Sequence, residues 1–297
     1  MVSRQQKTAL IGPGAIGTTI AAALFEKGHH LQIFGRTAHP HLELRHDDGS
    51  IIVPGPVRTD PSEAEGPFDI IFVAVKQTQT EAIAPWLKKM CGPETVVCVL
   101  QNGVEQKEQF SPLTGQATVL PSVVWFPAQR ESDTLVWLRD NARLTLPDTP
   151  QARQVQALLQ DTRCAVDLSA DFVSVAWRKL LQNAVAGLMV LSLRRAGMFR
   201  RDDIIALAER YIEEGLNVAR AEGATLADTV VQDIINRFRL APTDLGTSIL
   251  ADRQAGHPLE WDCRNGVIQR RGKQHGIPTP VSDVVVPLLA AASEGPG

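Results

Sequence analysis

Along the first half of this chain, short β-branched runs alternate with stretches of helical periodicity. The runs are "TALIG" (8–12), "HLQIFG" (30–35), "FDIIFVAV" (68–75) and "TVVCVL" (95–100), with helical patterns such as Ala15 to Lys27 and Thr80 to Met90 between them. Strand, helix, strand at this spacing predicts a parallel sheet with helices on both faces. From "ATVLPSVVWFPAQ" to "ARLTLP" (117–147) strand follows strand, which predicts an antiparallel extension of that sheet. A helix at 150–162 and a short strand at "CAVDLS" (164–169) complete this half.

After Asp171 the strand pattern stops, and helices are predicted at 171–193, 202–222, 227–240, 244–255, 259–275 and 280–293. Asp171, Asp202, Thr279 and Ser282 are suitable starts, and Gly223, Gly256 and Gly276 suitable stops. Two domains follow, an α/β domain over 1–170 and an all-helical one over 171–297. A frayed tail is expected at "SEGPG".

Composition narrows the function classes. Hydrophobic residues make up 44% and charged residues 21% of the 297, so a folded globular chain is expected. The 30 basic and 33 acidic residues are dispersed, so neither a nucleic acid nor a membrane is an expected partner. Cys91, Cys98, Cys164 and Cys263 form no C-x-x-C pair, which suits reduced thiols in a cytoplasmic protein. The N-terminal "MVSRQQK" leads straight into a strand without an apolar leader, and no apolar run reaches membrane length. The histidine pairs His29-His30 and His39-x-His41 lack a third ligand at zinc spacing, so no metal is expected.

The first candidate chemistry lies in "ALIGPGAIGTTIAAAL", where Gly12, Gly14 and Gly17 follow a strand and open a helix in G-x-G-x-x-G spacing. Gly12 would allow the tight turn, Gly14 the approach of a pyrophosphate, and Gly17 close packing of helix on strand. Ala15 and Ile16 complete the loop, whose helix N-terminus offers N–H groups to phosphates. An NAD site expects an acid at the end of the second strand. That strand ends in Gly35-Arg36. A guanidinium can bond a 2′-phosphate that a carboxylate would repel, so NADP(H) is the expected cofactor.

Two more strand ends carry polar groups. Lys76 follows "FDIIFVAV", and Asn102-Gly103 follows "TVVCVLQ". Lys76 could reach a cofactor phosphate and Asn102 the nicotinamide and a reacting carbonyl; the alternatives are a surface lysine and a turn. In "WRKLLQNAVAG" (177–187), Lys179 and Asn183 stand one helical turn apart on one face. Periodicity alone leaves two readings, a solvated flank or a polar face toward a small molecule.

These motifs together resemble the ketopantoate reductase (2-dehydropantoate 2-reductase) family over nearly the whole chain. The resemblance rests on "GPGAIG" (12–17), "VKQTQ" (75–79), "LQNGVEQ" (100–106), "WRKLLQNA" (177–184), "TSILAD" (247–252) and "LEWDCRNGVIQRRGKQHGIPTP" (259–280). It implies a Rossmann-type doubly wound N-terminal domain and a helical C-terminal domain like that of 6-phosphogluconate dehydrogenase, with the active site in the cleft between them. It also implies NADPH-dependent reduction of a small branched 2-oxo acid, 2-dehydropantoate to pantoate, on the route to pantothenate and coenzyme A. A homodimer is the candidate assembly.

Carried over by position, Lys179 and Glu260 match catalytic residues, and Asn102, Asn183 and Ser248 match substrate-contacting ones. Arg36 and Lys76 match the basic pair at the adenosine end of NADPH. One position departs. The family has a second asparagine one turn after Asn183, where this chain has Gly187, which removes an expected hydrogen bond to substrate.

Ketone reduction needs a proton donor and fixed donors for the developing oxyanion. Lys179 suits the acid, Asn102 the second donor, and Glu260 a substrate hydroxyl or the placement of Lys179. A reductase of the same architecture for another 2-oxo or 3-hydroxy acid, and a non-catalytic NADP(H) sensor, are the alternatives.

Overall fold

The computed structural model describes residues 6–295, so most of the polar lead and the last two residues of the tail lie outside it. By its contacts the chain divides into two units. One comprises the residues up to Gln101 with Glu105–Phe172, the other Asn102–Val104 with the chain from Val173 onward.

The strands of the first unit are β1 (Thr8–Ile11), β2 (Leu31–Phe34), β3 (His41–His46), β4 (Gly49–Pro54), β5 (Val57–Arg58), β6 (Ile70–Val73), β7 (Val96–Val99), β8 (Thr118–Pro121), β9 (Val123–Val124), β10 (Ala128–Arg130), β11 (Leu135–Leu138), β12 (Ala142–Pro147) and β13 (Cys164–Ser169). The main sheet runs β5-β2-β1-β6-β7-β8, all parallel. Successive residues of a strand face opposite sides. Leu10, Ile70, Phe72, Val96 and Cys98 enter one core, while Ala9, Ile11, Ile71, Val73, Val97 and Val99 enter another. Both faces are covered, which is why these runs are apolar at every position rather than at alternate ones.

Helix α1 (Ala15–Glu26) packs on the first face; α2 (Ala84–Met90) and α3 (Gln106–Thr114) supply Trp86, Leu87, Met90 and Phe110 to the second. Helix α4 (Pro150–Leu158) adds Ala152, Val155 and Leu158 to the first core. The residues of α1 from Gly17 to Leu24 are all buried, because a second sheet, β10-β11-β3-β4, covers its other side.

The expected antiparallel extension of the main sheet does not form. β8 continues the main sheet in parallel, whereas β9, β12 and β13 make a separate three-stranded sheet. β10 and β11 join the β3–β4 hairpin, for which no element is predicted at 41–54; β11 lies parallel to β3 with Val136 opposite Leu44. Alternation marks a residue as strand without naming its partner, and here the partner lies far back along the chain.

The second unit is helical: α5 (Phe172–Ser192), α6 (Asp202–Ala221), α7 (Thr229–Leu240), α8 (Ser248–Gln254), α9 (Val267–His275) and α10 (Pro280–Glu294). Trp177, Leu180, Leu181, Val185, Tyr211, Ile235, Ile268 and Leu289 are among its buried core. Residues Ala184 to Val190 of α5 are buried on every side, which accounts for the unbroken apolar run there. Gly223, Gly256 and Gly276, each with positive φ, end α6, α8 and α9. The N-terminus of α10 is capped from a distance, as buried Glu214 of α6 accepts from the Val281 and Ser282 N–H groups at 2.7 and 2.9 Å.

One expected helix is altered. The stretch predicted as helix over 259–275 opens with a π-helical segment, Asp262–Gly266, before α9. Among the described residues no helix is long and apolar enough to cross a membrane. The fold is α/β, a Rossmann-type doubly wound sheet followed by an all-helical unit.

Candidate active site

In the first unit the strand order places the glycine loop between two neighbours. Gly12 N–H donates to Phe34 O at the end of β2 (2.9 Å), and Ala74 N–H, just after β6, donates to Ile11 O (2.8 Å). Arg36 and Lys76 therefore leave the sheet on either side of the loop after β1, at the carboxyl ends of the strands. This is the switch point where open α/β sheets bind ligands.

The three glycines have separate reasons to lack a side chain. Gly12 has φ +93°, and a Cβ there would lie 2.7 Å from Val75 Cγ1. A Cβ at Gly17 would collide with Gly12 O, so α1 starts as close to β1 as backbone allows. A Cβ at Gly14 would meet nothing within 4 Å, which leaves open space beside the loop. No side chain caps the N-terminus of α1 at Gly14. Uncapped N–H groups facing open space fit a pyrophosphate, with Ala15, Ile16 and Gly17 supplying the first turn. Arg36 is exposed and Lys76 half-buried. Gly35, the residue before Arg36, packs against the loop, since a Cβ there would stand 2.8 Å from Pro13 Cδ.

The second unit brings together residues that lie far apart in the chain. Helix α5 carries Lys179 and Asn183 one turn apart, both half-buried, while the adjacent Arg178 is exposed and pairs with Asp233 at 3.1 Å. Asn183 Nδ2 donates to Asn102 Oδ1 (3.2 Å), and Asn102 Nδ2 donates to Glu260 Oε2 (3.3 Å). The same Glu260 oxygen lies 3.6 Å from Arg264 Nη2, which donates to Ser248 Oγ at 3.1 Å. One polar chain therefore joins Asn183, Asn102, Glu260, Arg264 and Ser248.

Lys179 is coupled to this chain by charge. Its pKa falls from 10.5 to about 8, first because burial penalises the ammonium, then because the Arg237 and Arg264 cations repel it. A lysine on a solvated flank has no such burial cost. Lys179 is thus half-buried where its neighbour Arg178 is exposed.

Arg264 has no counterpart among the residues singled out from sequence. Its only sequence signal is its place four residues after Glu260, in "EWDCR", and that spacing acquires meaning only once Glu260 is known to be buried. The π-helical segment that carries it also sets Asn265, whose Nδ2 donates to Ala184 O (3.0 Å) and Tyr211 Oη (2.8 Å). Asn265 thus ties this segment to α5 beside Asn183. Asp262 instead pairs with Arg270 at 2.8 Å.

The same contact explains Gly187. A Cβ there would lie 2.8 Å from Asn265 Nδ2 and 3.1 Å from Leu289 Cδ1. The position is a buried helix-packing glycine with no room for the amide that the family resemblance leads one to expect. Gly187→Asn should therefore overpack the unit and cost about 1–3 kcal/mol in urea unfolding. It should not lower KM for substrate; a folded variant of undiminished stability with a lower KM would refute this account.

Comparison with known proteins covers both units. The family model described as ketopantoate reductase PanE/ApbA matches residues 8–151, and its C-terminal counterpart matches 171–293. The 2-dehydropantoate 2-reductase of Mycobacterium tuberculosis is 53% identical over 290 residues, covering 97% of this chain and 98% of that one. The enzyme of the same name from Caulobacter vibrioides is 36% identical over 286 residues, covering 96% and 98%. Among solved structures, a dimeric ketopantoate reductase from Staphylococcus aureus superposes with a TM-score of 0.89 at 28% identity, covering 98% of this chain and all of that one. With both halves matched and a relative more than half identical end to end, the chain belongs to the ketopantoate reductase family.

Proposed function

We propose that this chain reduces 2-dehydropantoate to pantoate with NADPH, a step toward pantothenate and coenzyme A, and that Lys179 donates the proton. The chain is an NADP-dependent oxidoreductase by its family and by relatives that carry the 2-dehydropantoate 2-reductase name. The observation that best supports the residue roles is the polar chain from Asn183 to Ser248 beside a lysine whose pKa is lowered to about 8. We assign the cofactor to the first unit, at Gly12, Gly14, Ala15, Ile16, Gly17, Arg36 and Lys76, with Asn102 serving both cofactor and substrate. The proton donor and substrate contacts belong to the second unit.

Bound NADPH supplies the hydride. The remaining work is done by side chains. Lys179, still protonated at neutral pH, gives its proton to the substrate's carbonyl oxygen as negative charge builds there. A pKa near neutrality makes this transfer easier than it would be from an ordinary lysine. The amide of Asn102 is oriented at both ends, Oδ1 toward Asn183 and Nδ2 toward Glu260, which leaves its second N–H to stabilise the same oxygen. Glu260, an acceptor from Asn102, suits the substrate hydroxyl. Arg36 offers the 2′-phosphate a charge-assisted bond. We further propose that the protein is a homodimer, as its Staphylococcus aureus relative is described to be. Light scattering of the purified protein should give twice the chain mass; a monomer at micromolar concentration would exclude it.

The catalytic assignment is tested by following reduced nicotinamide absorbance with 2-dehydropantoate. Lys179→Ala should lower kcat by about 10²- to 10⁴-fold while NADPH binding persists; wild-type rates in that variant would remove Lys179 from the mechanism. The working form of Lys179 is the protonated one, and burial lowers the pH at which it is lost. Activity should therefore be full below about 8 and decline above it, by about tenfold per pH unit. A profile flat to the range of an ordinary lysine would contradict the role. For the cofactor, Arg36→Ala should raise KM for NADPH by about 10- to 100-fold and leave that for NADH nearly unchanged. Equal losses for both would mean that Arg36 does not contact the 2′-phosphate.

A further inference from the structure

We propose that Arg264 binds the carboxylate of the substrate and is the residue by which this site selects 2-oxo acids over uncharged ketones. The proposal rests on the reductase reading above and extends it to a residue to which that reading assigns no part.

Arg264 is 4% exposed, and buried arginines are rare unless their charge is met. Here it is met incompletely. The separation from Glu260, 3.6 Å, lies within ion-pair reach but beyond hydrogen-bond length. The firm bond is to a neutral group, Ser248 Oγ, and it uses Nη2, the same nitrogen that faces Glu260. Nε, also buried, has no hydrogen-bond partner. A guanidinium has five N–H donors in a planar fork. This one holds much of its capacity in reserve where a buried unmet donor is costly.

The charges around it point to an anion. Two cations, Lys179 and Arg264, stand against the single carboxylate of the polar chain, Glu260, and Arg237 adds a further positive influence on Lys179. Nη2 meets both buried Glu260 and Ser248, and Ser248 belongs to an exposed position at the start of α8.

The chemistry of a 2-oxo acid then divides the two cations between two jobs. Lys179 must give up a proton to the carbonyl oxygen, so it cannot serve as a constant counter-charge. The adjacent carboxylate needs a cation that never deprotonates, and a planar fork matches its two oxygens. Ser248, already bonded to the guanidinium, holds that fork in place. Arg264 has the charge, the spare donors and the neighbours for this role, and position 187 has no side chain to share it.

Steady-state kinetics with NADPH should compare 2-dehydropantoate with its uncharged amide in wild type, Arg264→Met and Arg264→Lys. Wild type should prefer the acid. Arg264→Met should raise KM for the acid by about 10- to 100-fold, a larger change than any in kcat, with NADPH binding nearly unchanged, and should abolish the preference over the amide. An unchanged KM for the acid, or a loss confined to kcat, would overturn the proposal, the second by showing that Arg264 acts only through Glu260 or Lys179. If Arg264→Met does not melt as cooperatively as wild type, Arg264→Lys decides. Lysine keeps the charge but loses the fork, so KM should rise by about tenfold, and an unchanged KM again overturns the proposal. Absence of turnover of the acid by wild type would instead refute the reductase reading itself.

Discussion

The second unit depends on Glu260 remaining a buried carboxylate with partners. An ion taken out of water costs several kcal/mol unless it is paired and hydrogen-bonded. Glu260 is met by the Asn102 amide on one side and by the Arg264 guanidinium on the other. Through those two partners it fixes which way Asn102 points, holds Asn183 in line and brings Ser248 into the same set. Remove the carboxylate and Arg264 becomes a buried cation with only a serine oxygen, while Asn102 loses one of its two anchors. The arrangement is therefore cooperative, and its members are best understood as one group rather than five contacts.

Apolar packing lies beside this polar group. Helix α5 is buried all round from Ala184 to Val190, and the π-helical segment is tied to it by Asn265 at Ala184 O. Burial of Lys179 on the same helix, with the Arg237 and Arg264 cations, lowers its pKa. Gly187 belongs to this packing and not to the chemistry. Its missing side chain makes room for the Asn265 amide, which keeps the segment bearing Arg264 close to the helix bearing Lys179. In the first unit the equivalent constraint is steric, with Gly12 and Gly17 bringing strand and helix backbones into contact and Gly14 keeping the space beside them clear.

Much of this was legible in residue order. The four central strands of the main sheet, β1, β2, β6 and β7, with helices α1 and α2, follow from runs of fixed length and spacing, and the three helix stops at Gly223, Gly256 and Gly276 follow from backbone freedom. The glycine loop is local too, since all its parts lie within a few residues. The strands from β9 to β13 were a different matter. Their alternation was visible, but β11 pairs with β3 and β12 with β13, choices governed by which apolar faces remain to be covered. In the site, Lys179 and Asn183 were legible as a pair because one helix turn separates them, yet whether they faced solvent was not.

By itself, then, the sequence determined what is written at short range: most strands and helices, the turn at Gly12, the absence of an acid beside Arg36, and the presence of Lys179 and Asn183 on one helix. Tertiary structure decided what depends on burial and on partners distant in the chain. It half-buried Lys179, joined Arg264 to Glu260 and Ser248, turned Gly187 into a packing residue and separated the second and third sheets from the first. The reason is physical. Local backbone preference is a property of neighbouring residues, whereas the cost of a buried charge, and the partner that relieves it, exist only once 102, 183, 248, 260 and 264 have been folded together.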